Sequence, residues 1–412
     1  MSLFTQLFLL FLLFGTLLQL WLLLRHLGHV RRHRNQVPDA FSDKISLTDH
    51  QKAADYTQAK GRLAITETVL GIVLLLIWTL GGGLDLLDRY WRESGWGEII
   101  IGMLFIFSFF LVNSLLEMPF NLYRTFRLEA AFGFNRITPV QYVKDRLLGL
   151  ALSILLGAPL LWIMLQLMQG AGRYWWLAAW VVWMGFSLTL SWAYPRFIAP
   201  LFNSFTPLGE GEMRSRIQSL LQRCGFTSDG IFVMDGSKRS SHGNAYFTGF
   251  GKSKRIVFFD TLLKALSIDE MEAVLAHELG HFRFRHILKQ MLLMGLLSLA
   301  GLALLGWLSQ QPWFYSGLGI TQPSNAAALL LFMLVLPVFT IFFTPIGSYL
   351  SRRFEFQADN YAVSQTNGEF LVRALVKLYQ DNASTLTPDP LYSLFHDSHP
   401  PAPVRIANIR SR

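Results

Sequence analysis

The stretch Ala276-His277-Glu278-Leu279-Gly280-His281 contains the pattern H-E-x-x-H, and the residues before it predict that it lies inside a helix. Ser267-Ile268-Asp269-Glu270 has the S-x-x-E pattern of a capping box, which marks a helix start. Apolar residues then recur at helical spacing, at Met271, Val274, Leu275 and Leu279. Four residues make just over one helical turn, so the two histidines project from the same face.

Two imidazoles on one helical face can occupy two corners of a tetrahedral zinc site. Glu278 follows the first histidine directly, so it can reach a water on the metal rather than the metal itself. That is the arrangement of a zinc hydrolase. A short pattern also occurs by chance, but the predicted helix supplies the context that the chemistry requires. We therefore expect His277 and His281 to be zinc ligands and Glu278 to be a catalytic residue.

The composition is that of a membrane protein. Of the 412 residues, 52% are hydrophobic and 15% are charged, and the mean hydropathy is +0.35. Such values are typical of a polytopic membrane protein. Lys and Arg in cytoplasmic loops account for the net charge of +9, and no motif argues for nucleic acid as a partner. The single cysteine, Cys224, excludes an intramolecular disulfide.

Seven apolar stretches are long enough to span a bilayer. They comprise residues 3–24, 63–83, 99–117, 147–168, 174–193, 287–308 and 326–349. The segments rich in Lys and Arg are the loops 25–62, 118–146 and 194–286 and the tail from 350. Seven spans place these basic segments on one side of the membrane, which is expected to be the cytoplasmic side. The H-E-x-x-H helix and the C-terminal tail would then share that face.

The chain is expected to divide into four parts. Residues 1–193 carry membrane helices one to five, 194–286 form a small α+β catalytic segment that ends with the H-E-x-x-H helix, 287–349 carry helices six and seven, and 350–412 form a C-terminal catalytic segment. Within the α+β segment, the pattern predicts a helix near 213–221 closed by Gly225. It also predicts strands at 231–234, 244–249 and 256–259, with a turn at 249–253.

A catalytic zinc site normally has a third protein ligand and one open position. Glu355 and Asp359 lie four residues apart in R-R-F-E-F-Q-A-D-N-Y-A, hence on one helical face. We expect Glu355 to be the third ligand and Asp359 to accept the N–H of His277, which fixes the tautomer. The alternative is that both carboxylates merely solvate a charged helix beside Arg352 and Arg353. A hairpin of two spans would return Glu355 to the side of the membrane where His281 lies.

Other histidines are weaker candidates for metal binding. His242 adjoins a glycine in a predicted turn, and His286 lies five residues after His281, on a different helical face. Three protein ligands are enough for zinc, so neither is expected to bind it. A further cluster, His26, His29 and His33, lies beside arginines at a membrane boundary and is expected to be interfacial.

Five motifs together give a specific resemblance. They are H-E-L-G-H, F-E-F-Q-A-D, the segment from Tyr123 to Asn135, S-H-G-N-A-Y at 241–246, and H-D-S-H-P-P at 396–401 followed by Val404-Arg405-Ile406. The chain resembles the type I CAAX prenyl proteases, which are integral-membrane zinc metalloproteases. The resemblance covers most of the chain, and the motifs come in the family's order.

The resemblance implies further roles. Asn244 and His399 would contact the substrate backbone or the oxyanion, and Arg405 would brace the tail against the site. The strand that follows, with Ala245 and Tyr246, would offer its edge to an extended peptide. The seven helices would enclose a water-filled chamber, so the implied fold is an α-helical polytopic membrane protein with a small α+β zinc-protease domain at the cytoplasmic face. From the residues alone, His399 could equally be an ordinary loop histidine and Arg405 a surface residue.

The expected function is a zinc endopeptidase with one Zn²⁺ per chain, cleaving near the C-terminus of prenylated CAAX-type proteins or peptides. A second possibility with the same chemistry is a quality-control protease for unprenylated or misfolded chains. A third, of another class, is a non-enzymatic channel or transporter. We expect a monomer in the lipid bilayer, either the bacterial inner membrane or the endoplasmic reticulum membrane of a eukaryote, with peptide or protein substrates and no nucleic acid.

Overall fold

The computed structural model describes residues 1–228, 230–248 and 255–412, and their fold is largely helical. Within these residues, seven helical segments are long and apolar enough to cross a membrane. Their helices are α1 (Leu3–Arg32), α2 (Leu47–Trp78), α4 (Glu98–Tyr123), α5 (Pro139–Gly170), α6 (Trp175–Ala193), α11 (His286–Leu308), and α13 (Asn325–Thr340), which continues through a short 3-10 turn into α14 (Thr344–Gln365).

Shorter elements connect and cover these helices. The helices are α3 (Gly83–Arg92), α7 (Ala199–Phe202), α8 (Glu212–Arg223), α9 (Asp260–Ala265), α10 (Ile268–Arg283), α12 (Pro312–Ser316), α15 (Gly368–Asp381), α16 (Pro390–His396) and α17 (Ala402–Arg410). The strands are β1 (Phe205–Pro207), β2 (Ile231–Met234), β3 (Ala245–Thr248) and β4 (Arg255–Phe259). Two π-helical turns, Arg124–Glu129 and Tyr194–Ile198, follow α4 and α6 directly.

The four strands form one small sheet in the order β1-β2-β4-β3. β2 and β4 are parallel, with Ile231 opposite Ile256, while β1 and β3 are antiparallel to their neighbours. β3 is therefore an edge strand of this sheet. The predicted strands match β2, β3 and β4 within a residue or two, whereas β1 was not predicted because three residues carry too little pattern. The turn predicted at 249–253 lies outside the described residues.

The second membrane helix differs most from its predicted span. It begins at Leu47, where the Ser46 hydroxyl caps the backbone N–H of Asp49, and it ends at Trp78 rather than near residue 83. Gly82 then has φ +78, a left-handed conformation that glycine adopts readily, and α3 begins. The polar half of α2 belongs to the same helix as the apolar half, so the predicted polar loop 25–62 consists largely of helix. A hydropathy window cannot detect the polar turns of a helix.

The two largest hydrophobic cores of the described residues stabilise different parts of the molecule. One lies among the membrane helices and includes Phe8, Phe105 and Phe314. The other joins the sheet to α8, α10 and α15, and includes Phe258 and Leu275. The buried side of α10 thus belongs to the second core, which holds the H-E-x-x-H helix in place. The division predicted at 349/350 falls inside α14, which runs unbroken from Thr344 to Gln365.

The C-terminal segment is anchored to the first membrane helix. Arg25 donates a hydrogen bond to the buried carboxylate of Asp389, and the backbone N–H of Asp389 donates to Nδ1 of His26. His26 also stacks on Tyr392 at 4.2 Å. The histidine cluster of α1 therefore includes a docking point for the tail. This contact fixes α16 and the residues after it, which include His399 and Arg405.

Candidate active site

α10 and α14 bring together one donor atom from each of His277, His281 and Glu355. These three atoms lie within 4.8 Å of one another. Nε2 of His277 is 3.5 Å from one Glu355 oxygen, and Nε2 of His281 is 3.4 Å from the other. The two Nε2 atoms are 3.3 Å apart. Within the described residues, this is the cluster of His, Cys, Asp and Glu side chains that could hold a metal ion.

The closeness of α10 and α14 depends on a glycine. A Cβ atom on Gly280 would lie 2.8 Å from Cα of Ala358, which is closer than real Cβ atoms come to other atoms. Gly280 therefore permits backbone contact between the two helices. Because Ala358 lies between Glu355 and Asp359, the contact also sets how near both carboxylates come to the histidines.

Asp359 contacts the second ring nitrogen of His277. Its carboxylate is fully buried and lies 2.8 Å from Nδ1 of His277, so that Nδ1–H can donate to it. Arg405 donates two hydrogen bonds to the same carboxylate, from Nε at 2.9 Å and from Nη2 at 2.5 Å. Burial opposes protonation of His277, but the neighbouring carboxylates of Asp359 and Glu355 outweigh this and raise its pKa to about 9. The two carboxylates thus favour positive charge at Nε2 of this imidazole, which either a proton or a metal ion can supply.

These residues fit a divalent metal ion. Oε2 of Glu355 is buried and accepts no hydrogen bond from the described residues, and the guanidinium group of Arg405 lies 3.7 Å away from it. A metal ion between this oxygen and the two imidazoles would satisfy it. Two imidazole nitrogens and one carboxylate form the His₂Glu ligand set of catalytic zinc sites, which leave a fourth position open. Asp359 supplies the carboxylate–histidine contact that orients such a ligand. The alternative, in which both carboxylates lie on a solvated, charged helix face, does not match the structure. Glu355 and Asp359 are buried, and Arg352 donates to the carbonyl groups of Ser393 and Asp397 rather than to either carboxylate.

A cavity of about 380 Å³ opens in front of the cluster. Glu278, Asn244, Ala245, His399 and Arg405 line it together with His277 and Glu355. Nε2 of His399 lies 3.4 Å from a Glu355 oxygen, and its side chain is 65% exposed. The structure therefore places most of the predicted site residues around one cavity. His281 and Asp359 do not line it but contact His277, and Tyr246 packs edge-on against Phe259.

Two family models together match nearly the whole chain. One, described as "CAAX prenyl protease N-terminal, five membrane helices", matches residues 26–204, and the other, "Peptidase family M48", matches residues 207–412. The chain belongs to the type I CAAX prenyl protease family. It is therefore a multi-pass membrane protein and a metalloendopeptidase, as the sequence predicts, and the family assignment argues against a non-enzymatic channel.

Individual relatives agree with this assignment. The chain is 35% identical to the CAAX prenyl protease 1 homolog of Dictyostelium discoideum over 92% of this chain and 90% of that protein. It is 33% identical to CAAX prenyl protease 1 of Saccharomyces cerevisiae over 89% of this chain and 86% of that one. The crystal structure of S. mikatae Ste24p matches with a TM-score of 0.90 at 30% identity, covering 99% of both chains. The predicted helical membrane fold is thus confirmed.

Two residues of the protease that line the site, Asn382 and Tyr379, were missed from the sequence. The amide oxygen of Asn382 lies 3.0 Å from Nδ1 of His242 and accepts the Gly243 N–H at 3.2 Å. Tyr379 lines the cavity, and its hydroxyl accepts the backbone N–H of Ala402. Both residues lie at the C-terminal end of α15, which looks like an ordinary amphipathic helix in the sequence. No local signal distinguishes them, because their partners lie more than twenty residues away.

His242 links two of the family motifs. Its ring stacks on Phe134 at 4.3 Å, and the backbone N–H of Ser241 donates to the carbonyl group of Phe134. Ser241 and His242, which lead to β3, are therefore held in place by Phe134, which follows the first π-helical turn. A second cavity of about 440 Å³, lined by residues of α1 and α2, shares Asn382 and Ser384 with the first, so the two cavities are neighbours.

Proposed function

We propose that the protease binds one Zn²⁺ per chain through His277, His281 and Glu355 and cleaves CAAX-type proteins or peptides near their C-termini. The observation that carries this proposal is the convergence of the three donor atoms within 4.8 Å, beside Asp359. When bound, zinc lowers the pKa of a water to about 7 and polarises the scissile carbonyl group. The protein residues around the cavity would supply the remaining steps.

Glu278 would act as general base and then general acid. It follows His277 on α10, is partly exposed, and lines the cavity. Its carboxylate would take the proton from the attacking water and deliver it to the nitrogen of the leaving amine. Glu278 and His277 are consecutive residues of one helix, so the helical backbone fixes the position of the carboxylate relative to the first ligand.

His399 and Asn244 would stabilise the oxyanion of the tetrahedral intermediate or hold the substrate backbone. His399 reaches the cluster from the tail, with Nε2 near Glu355 and most of the ring exposed to the cavity. Asn244 enters from the start of β3, where its side-chain oxygen accepts the N–H of Ala245. A donor aimed at the developing charge is among the strongest catalytic contributions.

The substrate would add to β3 as an extended strand. β3 pairs with β4 on one side only in the described sheet, and Ala245 at its start lines the cavity. Strand addition supplies main-chain hydrogen bonds without strict side-chain selection. Arg405 would act indirectly, because its hydrogen bonds hold Asp359 and not the peptide.

We favour prenylated CAAX peptides as the substrate, because the matching family model and the relatives are named CAAX prenyl proteases. A quality-control protease that acts on unprenylated or misfolded chains would use the same chemistry. The basic loops support placing the site at the cytoplasmic face, in a bacterial inner membrane or in the endoplasmic reticulum. We further propose a monomer whose seven helices enclose a chamber, of which the cavity along α1 and α2 would be part.

Purified protein tests the proposal by metal analysis and peptide cleavage. The expected result is one zinc per chain, cleavage that a chelator abolishes and zinc restores, and faster cleavage of a farnesylated CAAX peptide than of its unprenylated twin. Equal rates for the two peptides would favour the quality-control function. A protein without stoichiometric zinc would contradict the proposed metal site.

A further inference from the structure

His286 connects His281 to a polar side chain of the neighbouring helix. It is almost fully buried at the start of α11. Its Nδ1 lies 3.0 Å from Nδ1 of His281, and its Nε2 lies 2.8 Å from Oε1 of Gln357. The ring stacks on Phe354 at 4.2 Å, with an interplanar angle of 14°. Both ring nitrogens of His286 are therefore engaged, and neither points at the cluster of metal-binding atoms.

If His281 binds metal, the protons in this series of contacts have only one possible assignment. A metal ligand needs the lone pair of Nε2, so the proton of His281 must be on Nδ1. That N–H must donate, so Nδ1 of His286 must be the acceptor. The proton of His286 is then on Nε2, where the oxygen of Gln357 accepts it. Each donor in the series thus faces an acceptor: Nδ1–H of His281 faces Nδ1 of His286, and Nε2–H of His286 faces Oε1 of Gln357.

A break in the helix makes the contact possible. Five residues along a continuous helix turn a side chain by about 500°, so His286 would face away from His281. Instead, α10 ends at Arg283, and Arg285 adopts a left-handed conformation with φ +56 before α11 begins. Such a conformation is uncommon for a residue other than glycine. The break turns the imidazole of His286 back toward His281.

We propose that His286, held by Gln357, is a positioning residue that fixes the tautomer and the ring orientation of His281. His277 has an anionic partner in Asp359, whereas His281 has a neutral one, so the two ligands are oriented by different chemistry. Ligating histidines commonly donate their second N–H to a partner that orients them. The inference rests on the proposed metal site and adds two residues, His286 and Gln357, that the motif H-E-x-x-H does not include.

Zinc affinity of the full-length protein, measured by competition with a chromophoric chelator, tests this role. His286→Phe keeps the stacked ring but removes the acceptor, and we expect zinc to bind about 10-fold more weakly or worse. Gln357→Met should weaken binding in the same direction. The double variant should bind zinc no more weakly than His286→Phe alone, because the two residues act in series.

His286→Asn provides the rescue. Its side-chain oxygen can take the place of Nδ1, so zinc affinity should return close to that of the wild type, and Gln357→Met should then have no further effect. Asn360→Leu is the matched control, because it removes another amide of α14, one that pairs with Asn408 and not with a histidine. It should leave zinc affinity unchanged.

Wild-type zinc affinity in His286→Phe would overturn the proposal, as would additive losses in the double variant. If His286→Phe does not fold, Gln357→Met in the wild-type and His286→Asn backgrounds decides the question: a loss in the first and none in the second supports the relay, and equal effects refute it. A wild-type protein without tightly bound zinc would instead refute the metal site itself, which separates the two failures.

Discussion

Gly280 of α10 lies directly against Ala358 of α14, so closely that a Cβ on the glycine would come within 2.8 Å of the Cα of Ala358. This contact lies one residue before His281 on one helix and between Glu355 and Asp359 on the other. The distance between the two helices and the geometry of the candidate metal site therefore depend on each other.

Gly280→Ala should weaken both folding and metal binding. The added methyl group forces the helices apart, which costs about 1–3 kcal/mol in packed cores, and it moves Glu355 away from the histidines. We expect a lower midpoint of thermal unfolding in detergent and a lower zinc content. Gly347→Ala, in the partner helix α14, is the control, since no atom lies within 4 Å of its added Cβ. Equal behaviour of the two variants would contradict the argument.

Glu278→Gln should retain zinc and lose turnover. General acid–base catalysis contributes about 10²–10⁴-fold, so peptide cleavage should fall by at least that range while metal content stays near one per chain. His277→Ala and His281→Ala should lose both. The measurement is zinc content together with kcat on one peptide, and cleavage at the wild-type rate by Glu278→Gln would show that another residue is the base.

Arg405→Ala should leave the buried carboxylate of Asp359 without its main partner. Breaking a buried ion pair in this way costs about 3–5 kcal/mol, and the loss of a ligand's orienting contact weakens metal binding about 10–100-fold. The matched control is Arg410→Ala, also in α17, whose ion pair with Glu369 is largely exposed and should matter by less than about 1 kcal/mol. Thermal unfolding and chelator competition should separate the two variants clearly.

Acid should remove one specific stabilising contact of α10. Burial alone would raise the pKa of Glu270, but the ammonium group of Lys377, 2.6 Å away, and the backbone N–H of Ser267 lower it below its ordinary value. A lowered carboxyl pKa stabilises the fold fully above the pKa of the unfolded chain, about 4.3, and this stabilisation is lost as the pH falls through the lower pKa of the folded state.

The comparison of wild type with Glu270→Gln across pH tests this. At pH 7 the variant should unfold at a lower temperature. Its free energy of unfolding should be lower by about 1.5–3 kcal/mol, the contribution of a hydrogen bond to a charged group. The difference should shrink below about pH 4. Metal loss at low pH affects both proteins, so their difference isolates Glu270. A difference that grows on acidification would show that the pKa is raised.

His399→Ala should slow catalysis without releasing zinc. Removal of one oxyanion donor costs about 10²–10³-fold in kcat, and the ring is not needed to complete the ligand set. His399→Gln keeps a side-chain donor and should recover part of the rate. If either variant loses zinc in proportion to its loss of activity, His399 belongs to the metal site rather than to the oxyanion site.

Local patterns in the sequence were sufficient for the architecture. The capping box at Ser267 and Glu270 is formed in the structure, with both of its hydrogen bonds, and the spans predicted at 174–193 and 287–308 match α6 and α11 within one residue. The predicted family and enzyme class are confirmed by the comparisons. The roles assigned to individual site residues stay predictions, although all but Tyr246 either line one cavity or contact His277.

The sequence alone determined what depends on neighbours along the chain: which segments are apolar, that a capping box at Ser267 starts α10, and that His277, Glu278 and His281 share this helix. Only the tertiary structure decided which side chains meet across helices, such as Gly280 with Ala358, Arg405 with Asp359, and His286 with both His281 and Gln357. Helical periodicity specifies a face but not its partner, because the partner is set by the packing of segments that are distant in sequence. The turn at Arg285 illustrates this, since one left-handed residue reverses the direction that periodicity gave to His286.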